Sequence, residues 1–330
     1  MPLLRHDLYI EPLDAYIDPP FPVDRAIITH AHADHARPGH KNVLATPDTI
    51  GLMKTRYGPH AAQNWQELVY ETSLSIGDVT LTLYPAGHIL GSAQILLEHK
   101  SCRAVVSGDY KRRNDHTVHA FTPVTCDIFV TEATFGLPVF RHPDPMQEIA
   151  KLLESHRNFP DRSHLVAAYG LGKTQRVISL LRLAGYDAPI YLHGSCWNCT
   201  EYYQNAGVKL GVVRKATGLA KDELKGQIVI APPSALKEPW SRRMNEPVLA
   251  MASGWMTVKQ RVRQRGIELP LVISDHADWD ELTHTIRDTQ ANDIWVTHGR
   301  EDGLVHWCAT QGLKGAPLHL QGREDEEGED

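Results

Sequence analysis

The sequence predicts an α/β protein in which one domain interrupts another. Short apolar runs of β type fill the first third: "RAIITH", "VTLTLYPA", "AQILLEH", "RAVVSGD" and "DIFVTEA". Each ends in a polar or Gly-bearing turn, the mark of a β-rich layer with brief connections. From about Asp144 the rhythm changes. "DPMQEIAKLLESHR" and "KTQRVISLLRLAG" carry helical periodicity and alternate with strand-like "HLVAAYG", "PIYLHG", "QIVIAP" and "PVLAMAS". That alternation predicts a parallel sheet with crossover helices. Strands ending in histidines then return, in "LPLVISDHADWDELTHTIRD" and "DIWVTHGRED". The β-rich style therefore brackets the α/β part, an insertion rather than a tandem pair. No internal repeat or long linker is evident.

With 330 residues, 42% hydrophobic and 22% charged, the chain has ordinary globular usage and can bury a sizeable core. The formal net charge of −6 is concentrated in the last eight residues, which hold six acids and one arginine. Such a block is expected to be a solvated tail without a catalytic role. No apolar stretch has signal-peptide character or transmembrane length. Five cysteines, an odd number, suit a reducing cytoplasm better than a disulfide framework. Histidine is abundant, with 19 in the chain.

The densest chemistry is "ITHAHADH", where His30, His32, Asp34 and His35 follow an apolar run. In extended chain, residues two apart point the same way, so His30 and His32 can reach one ion together. Asp34 and His35 fall on the following turn and can aim at a second. A single His-x-His is common in exposed loops; four ligand-type residues in six positions directly after a strand are not. Further ligands stand at other strand ends: His88 in "LYPAGHILGS", Asp109 in "AVVSGDY" and His298 in "IWVTHGRED". Asp109, with two oxygens, can bridge. His, Asp and water ligation without cysteine fits zinc, with manganese as the alternative. Two ions about 3.5 to 4 Å apart suit in-line attack on phosphorus. A general acid must then protonate the leaving oxygen. His276 in "VISDHADWDEL" is the candidate, opening a helix, with Glu132 in "IFVTEATFG" placed to hold it. The competing reading makes Asp275 a helix cap and His276 a spectator.

With these residues in view, the chain resembles the metallo-β-lactamase fold. Asp18 in "AYIDPP", "THAHADH", His88 and Asp109 match its first four motifs, and Glu132, His276 and His298 match three further motifs of the nucleic-acid-directed β-CASP branch. "VDRAIITHAHADHARPGH", "TEATFGLPVFRHP" and "LGKTQRV" are most similar to bacterial ligase-associated DNA exonucleases, relatives of the Artemis-like nucleases. The resemblance implies an αββα sandwich with an inserted β-CASP domain: residues 1–138 and 268–322 for the sandwich, 139–267 for the insert and 323–330 for the tail. It implies one ion held by His30, His32, His88 and Asp109, and a second by Asp34, His35, His298 and the shared Asp109. Asp18 would orient the cluster, and Asp34, His276 and Glu132 would be the catalytic group. The implied activity is a DNA exonuclease leaving 5′-phosphates on single strands or ends, in repair, with a DNA ligase as a pathway partner. An RNA-processing ribonuclease of the same fold is the alternative, and a non-catalytic scaffold is disfavoured because all seven motifs are filled.

Other signals are weaker. "AAYGLGKTQ" fails the nucleotide-binding loop pattern because Ala167 stands where glycine is required; a helix starting near Lys173 could still face a phosphate. "CWNC", Cys196 to Cys199, has no second pair and is expected to be structural at a helix start. Lys111 and Arg112, Lys173, Ser253 and Trp255 are the expected substrate contacts, through charge or stacking. "WSRRM" and "KQRVRQR" add basic segments.

Overall fold

A computed structural model describes residues 3–318 apart from 245. The expected acidic tail, 323–330, lies outside the described residues. The chain forms two compact units, one up to Arg141 and again from His276, the other from His142 to Asp275.

The first unit is built on two sheets. Five strands lie in chain order: Tyr9–Ile10, Ala15–Ile17, Arg25–Ile27, His40–Ala45 and Ala62–Glu67. The second sheet has seven, in spatial order Lys314–Pro317, Asp293–Gly299, Ile128–Ala133, Cys102–Val106, Ala93–His99, Val79–Pro85 and Ser73–Ile76. Period-two alternation puts a different apolar set on each face of this sheet. Leu81, Leu83, Ile95, Leu97, Ala104, Val106 and Val130 pack with Ile10, Ile17, Ile27 and Leu44 of the other sheet. Leu96, Val105, Phe129, Ile294 and Val296 face the opposite way, onto Leu282 and Ile286 and onto Leu304 and Cys308. Those last residues belong to helices Trp279–Thr289 and Glu301–Thr310. Helix Pro47–Tyr57 packs beside Ala62–Glu67. The layers are thus helix, sheet, sheet, helix. Double coverage explains why these strands read as nearly continuous apolar runs.

The second unit holds a six-stranded sheet, in order Val213–Lys215, Ile190–Leu192, Ile228–Ala231, His164–Ala167, Val248–Ala252 and Leu269–Leu271. All five pairings are parallel. Helices Lys173–Leu183 and Gly194–Asn205 supply crossovers, and Pro145–Asn158 precedes the sheet's first strand in the chain. The boundaries expected after 138 and 267 fall instead after Arg141 and Asp275. The second shift has a clear cause: Leu269–Leu271, expected to restart the first domain, pairs with Val248–Ala252 and completes this sheet.

His164 opens a central strand of this unit with its side chain buried and Nε2 2.9 Å from Ser155 Oγ. Burial, reinforced by His156, lowers its pKa from 6.5 to about 4. The unfolded chain therefore takes up a proton near the ordinary value that the folded chain refuses until about 4. This share of stability is full above the unfolded value and declines as pH falls toward the folded one. Urea midpoints should drop as pH is lowered from about 7 to about 4.5, and His164→Asn should flatten that drop. An equally steep drop in the variant would exclude His164 as a source.

Candidate metal centre

The strand ends of the first unit deliver its ligand-type side chains to one place. After Arg25–Ile27, Ile28 N–H donates to Leu44 O and Thr29 O accepts from Ala93 N–H, which ties the segment before His30 to both sheets, and the chain bends from Thr29 instead of running extended through His32 as expected. It then turns, with His35 and Ala36 N–H groups donating to His32 O at 3.2 and 2.8 Å. His88 follows Val79–Pro85 and Asp109 follows Cys102–Val106. Gly108 has φ +55°, and a Cβ there would lie 2.8 Å from Thr29 Cβ. Only glycine lets the Asp109 turn close onto the histidine segment. His298 ends Asp293–Gly299 at a bulge: Glu132 pairs with Thr297 but Ala133 with Gly299. The extra residue, His298, takes φ +59°, which re-aims its side chain.

Two donor sets result, His30, His32, His88 and Asp109 in one and Asp34, His35 and His298 in the other, with the atoms of each set within 4.8 Å of one another. Asp109 touches both. Its Oδ2 lies 3.5 Å from His30 Nε2, 3.8 Å from His88 Nε2 and 3.4 Å from His35 Nε2, while Oδ1 lies 4.0 Å from His298 Nδ1. All seven side chains are buried.

These buried His/Asp clusters fit a metal site. His30 Nε2, His35 Nε2, Asp34 Oδ1 and Asp109 Oδ1 are buried and make no hydrogen bond. Inward-facing donors left so at the centre of a cluster are what coordination would satisfy. The electrostatics agree. Burial acts against charge on Asp109, yet His35, the next influence, outweighs it and holds the carboxyl well below its usual range. Burial likewise opposes a charged His35, but Asp34 and Asp109 hold its pKa well above 6.5. His30, enclosed by burial and by His35 and His88, is pushed well below and stays neutral, as a ligand must. The cluster demands positive charge beside Asp34 and Asp109.

A surrounding shell orients these groups. Asp18 accepts hydrogen bonds from Thr29 N–H at 2.7 Å and Thr29 Oγ1 at 2.6 Å, and pairs with His35 Nδ1 at 2.8 Å. That contact turns His35 Nε2 inward. Arg56, from helix Pro47–Tyr57, donates to Ala31 O between the first two histidines. Thr46 and Thr49, at the start of the same helix, both donate to Gly91 O beside the His88 turn. Sequence reasoning missed Thr29, Arg56 and Thr49, which are polar groups on unremarkable segments with no motif to flag them.

His276 sits beside the ligands, its ring 4.7 Å from that of His88. Its Nδ1 is 3.0 Å from Glu132 Oε2, while Glu132 Oε1 accepts from Tyr110 N–H at 2.8 Å. Tyr110 O accepts from Ala277 N–H at 2.7 Å. Glu132 thus links the residue after Asp109 to the residue before Ala277 in a closed ring of contacts. Burial raises the Glu132 pKa, against the pull of His276. Asp275 is not the helix cap. That is Asp278, which exchanges hydrogen bonds with Glu281, so the helix starts at Trp279 rather than His276.

Most of the expected substrate contacts have internal partners instead. Lys111 is buried and paired with Asp115 at 2.6 Å. Arg112 pairs with Asp288 at 2.7 Å and lies over Phe121. In the second unit, Lys173 is buried with Nζ 3.5 Å from Asp275. The helix start beside it spends its donors locally: Gly172 N–H on Gln175 Oε1 and Thr174 N–H on Tyr169 O. Ser253 is buried and caps the turn at Trp255 N–H. Trp255 is half-buried under Arg261. Cys196 and Cys199 lie near the start of helix Gly194–Asn205 as free thiols.

No protein-family model matches the chain. A probable DNA ligase of Opitutus terrae is 28% identical over 315 residues, covering 92% of this chain and 30% of that protein. Endoribonuclease ysh-1 of Neurospora crassa is 33% identical over 196 residues, 48% of this chain and 23% of its own length. A probable RNase MJ4 of Methanocaldococcus jannaschii is 26% identical over 218 residues, 56% of this chain and 50% of that protein. The chain therefore spans half or less of the length of these relatives. Among solved structures, a protein of unknown function from Enterococcus faecalis shares the fold, with TM-score 0.58 and 14% identity over 91% of this chain and 80% of the other. The four-layered sandwich and its strand-end ligands define a metallo-β-lactamase-fold protein. Within that class, the relatives and the order of the motifs are consistent with a nuclease of the β-CASP type.

Asp18→Ala should leave the fold intact but free His35 to turn. Metal affinity should fall about 10- to 100-fold, read by competition with a chromogenic chelator. Wild-type affinity in the variant would show that Asp18 does not orient the cluster.

Proposed function

We propose that the chain is a metal-dependent phosphodiesterase whose substrate is DNA, degraded from an end to leave 5′-phosphates. The observation that carries this reading is the pair of buried donor sets sharing Asp109, with His276 and Glu132 beside them. His30, His32, His88 and Asp109 would hold one divalent ion, and Asp34, His35, His298 and Asp109 the other. Zinc suits the donor set best, with manganese as the alternative. When bound, the ions supply an activated water and neutralise charge on the phosphate oxygens.

The rest of the chemistry belongs to side chains. Asp18 fixes the His35 ring, and the Gly108 turn fixes Asp109. Glu132 accepts at His276 Nδ1, so Nε2 is the atom that faces substrate. A carboxylate on Nδ1 favours a ring carrying both protons, and His276 gives the Nε2 proton to the departing 3′-oxygen. The P–O3′ bond breaks, one fragment leaves with a 3′-hydroxyl and the other keeps the 5′-phosphate.

DNA as substrate is supported by the relative named a probable DNA ligase, which matches nearly the whole chain. The same likeness supports a role in repair with a DNA ligase as partner. A cytoplasmic setting suits the free cysteines; among the described residues no helix is long and apolar enough to cross a membrane. A second reading, ribonuclease, is favoured by the relatives named endoribonuclease and RNase.

The two readings separate on 5′- and 3′-labelled single strands of DNA and RNA, incubated with Zn²⁺ and then Mn²⁺. Mononucleotides released from one end of DNA only are expected; faster loss of RNA, or internal fragments, would favour the ribonuclease. Asp109→Ala should abolish both metal binding and turnover. His276→Ala should keep its metal and lose about 10²- to 10⁴-fold in rate. Normal turnover with unchanged metal content would remove His276 from the mechanism.

A further inference from the structure

In the second unit, three tryptophans lie along one edge of the parallel sheet, the edge at the carboxyl ends of its strands. Trp197 is on the helix that follows Ile190–Leu192, and Lys215, the last residue of the neighbouring strand, lies over its ring at 4.8 Å. Trp240 comes after Ile228–Ala231 and meets His193, directly beyond Leu192, edge-on at 4.7 Å. Trp255 comes after Val248–Ala252 and carries the Arg261 guanidinium over its ring at 4.0 Å. All three rings are half-buried. Lys215 is exposed and Arg261 is partly so.

In open parallel sheets, ligands gather at the carboxyl ends of the strands. The sheet order runs Val213–Lys215, Ile190–Leu192, Ile228–Ala231, His164–Ala167, Val248–Ala252, Leu269–Leu271. Along that edge the aromatic residues therefore fall in the order Trp197, Trp240, Trp255. At strand spacing the edge is about 24 Å long.

We propose that this edge is a track for single-stranded nucleic acid, with bases stacking on Trp197, Trp240 and Trp255 and with Lys215 and Arg261 moving from the rings onto neighbouring phosphates. The proposal rests on the nuclease reading and adds a surface of the second unit that holds the strand. Stacked aromatics with flanking cations grip any base through its π-face, without reading sequence or sugar. Trp240 also packs against the apolar cluster of Leu165, Val229 and Met244, yet each ring is partly exposed and, in Trp197 and Trp255, the covering group is a cation on a flexible stem. Lys111 and Lys173, held in internal pairs, leave that task to the edge residues.

The test uses the full chain as purified and a fluorescent phosphorothioate oligo(dT), which resists hydrolysis, beside an abasic strand of equal length and charge. The base-bearing strand should bind at least about tenfold more tightly and quench tryptophan fluorescence. Trp197→Leu, Trp240→Leu and Trp255→Leu should each lose about tenfold for oligo(dT) and little for the abasic strand, while Trp255→Phe keeps most of the binding. Lys215→Gln and Arg261→Gln should each reduce the salt slope by about 0.7. Equal affinity for the two strands overturns the track, whatever the variants do, and so does wild-type binding by all three leucine variants. Stacking without turnover of any unmodified strand would instead sink the nuclease reading and leave the track standing.

Discussion

One buried carboxylate organises the first unit. Asp109 lies within about 4 Å of nitrogen atoms from four histidines on three separate segments. A charged carboxylate out of water is strongly unfavourable unless opposite charge and hydrogen bonds compensate it. Here the compensation comes from groups tens or hundreds of residues away, so the position of Asp109 constrains the whole sandwich. The seven-stranded sheet brings the ends of Val79–Pro85, Cys102–Val106, Ile128–Ala133 and Asp293–Gly299 together. The first sheet adds the segment after Arg25–Ile27. Apolar packing on both faces of the larger sheet makes those ends a rigid frame.

Small contacts convert that frame into a site. Asp18 and Thr29 set the His35 ring, Arg56 holds the carbonyl of Ala31, and the bulge at His298 turns its side chain. Glu132 divides its two oxygens between His276 and the Tyr110 peptide, so His276 and the turn that carries Asp109 share one support. A change at Glu132 therefore acts on both at once. Preorganisation of this kind is what lets a buried cluster hold charge without reorganising when substrate arrives.

Much of the candidate site was legible in the sequence because its ligand-type residues come from short-range patterns. His30 and His32 stand two apart just beyond an apolar run, and His88, Asp109 and His298 each follow an apolar run and adjoin glycine. The parallel sheet of the second unit was legible too, since fully buried strands such as Ile228–Ala231 read as unbroken apolar runs. Burial of cations was not. "YKRR" and "LGKTQ" look like exposed basic segments, but Lys111 is buried against Asp115, four residues on, and Lys173 against Asp275, a partner far along the chain that no local pattern reveals. Strands of two or three residues, such as Tyr9–Ile10 and Ala15–Ile17, are too short to show a period. The end of the second unit was misread for a related reason: Leu269–Leu271 has a strand's composition whichever sheet it joins, and only pairing assigns it.

We propose that Asp109 is shared between two metal positions. Anomalous diffraction from crystals grown with Mn²⁺ or Zn²⁺ tests it most directly. Two peaks are predicted, one among His30, His32 and His88 and one among Asp34, His35 and His298, with the Asp109 carboxylate between them. A single peak, or peaks away from Asp109, would contradict the account.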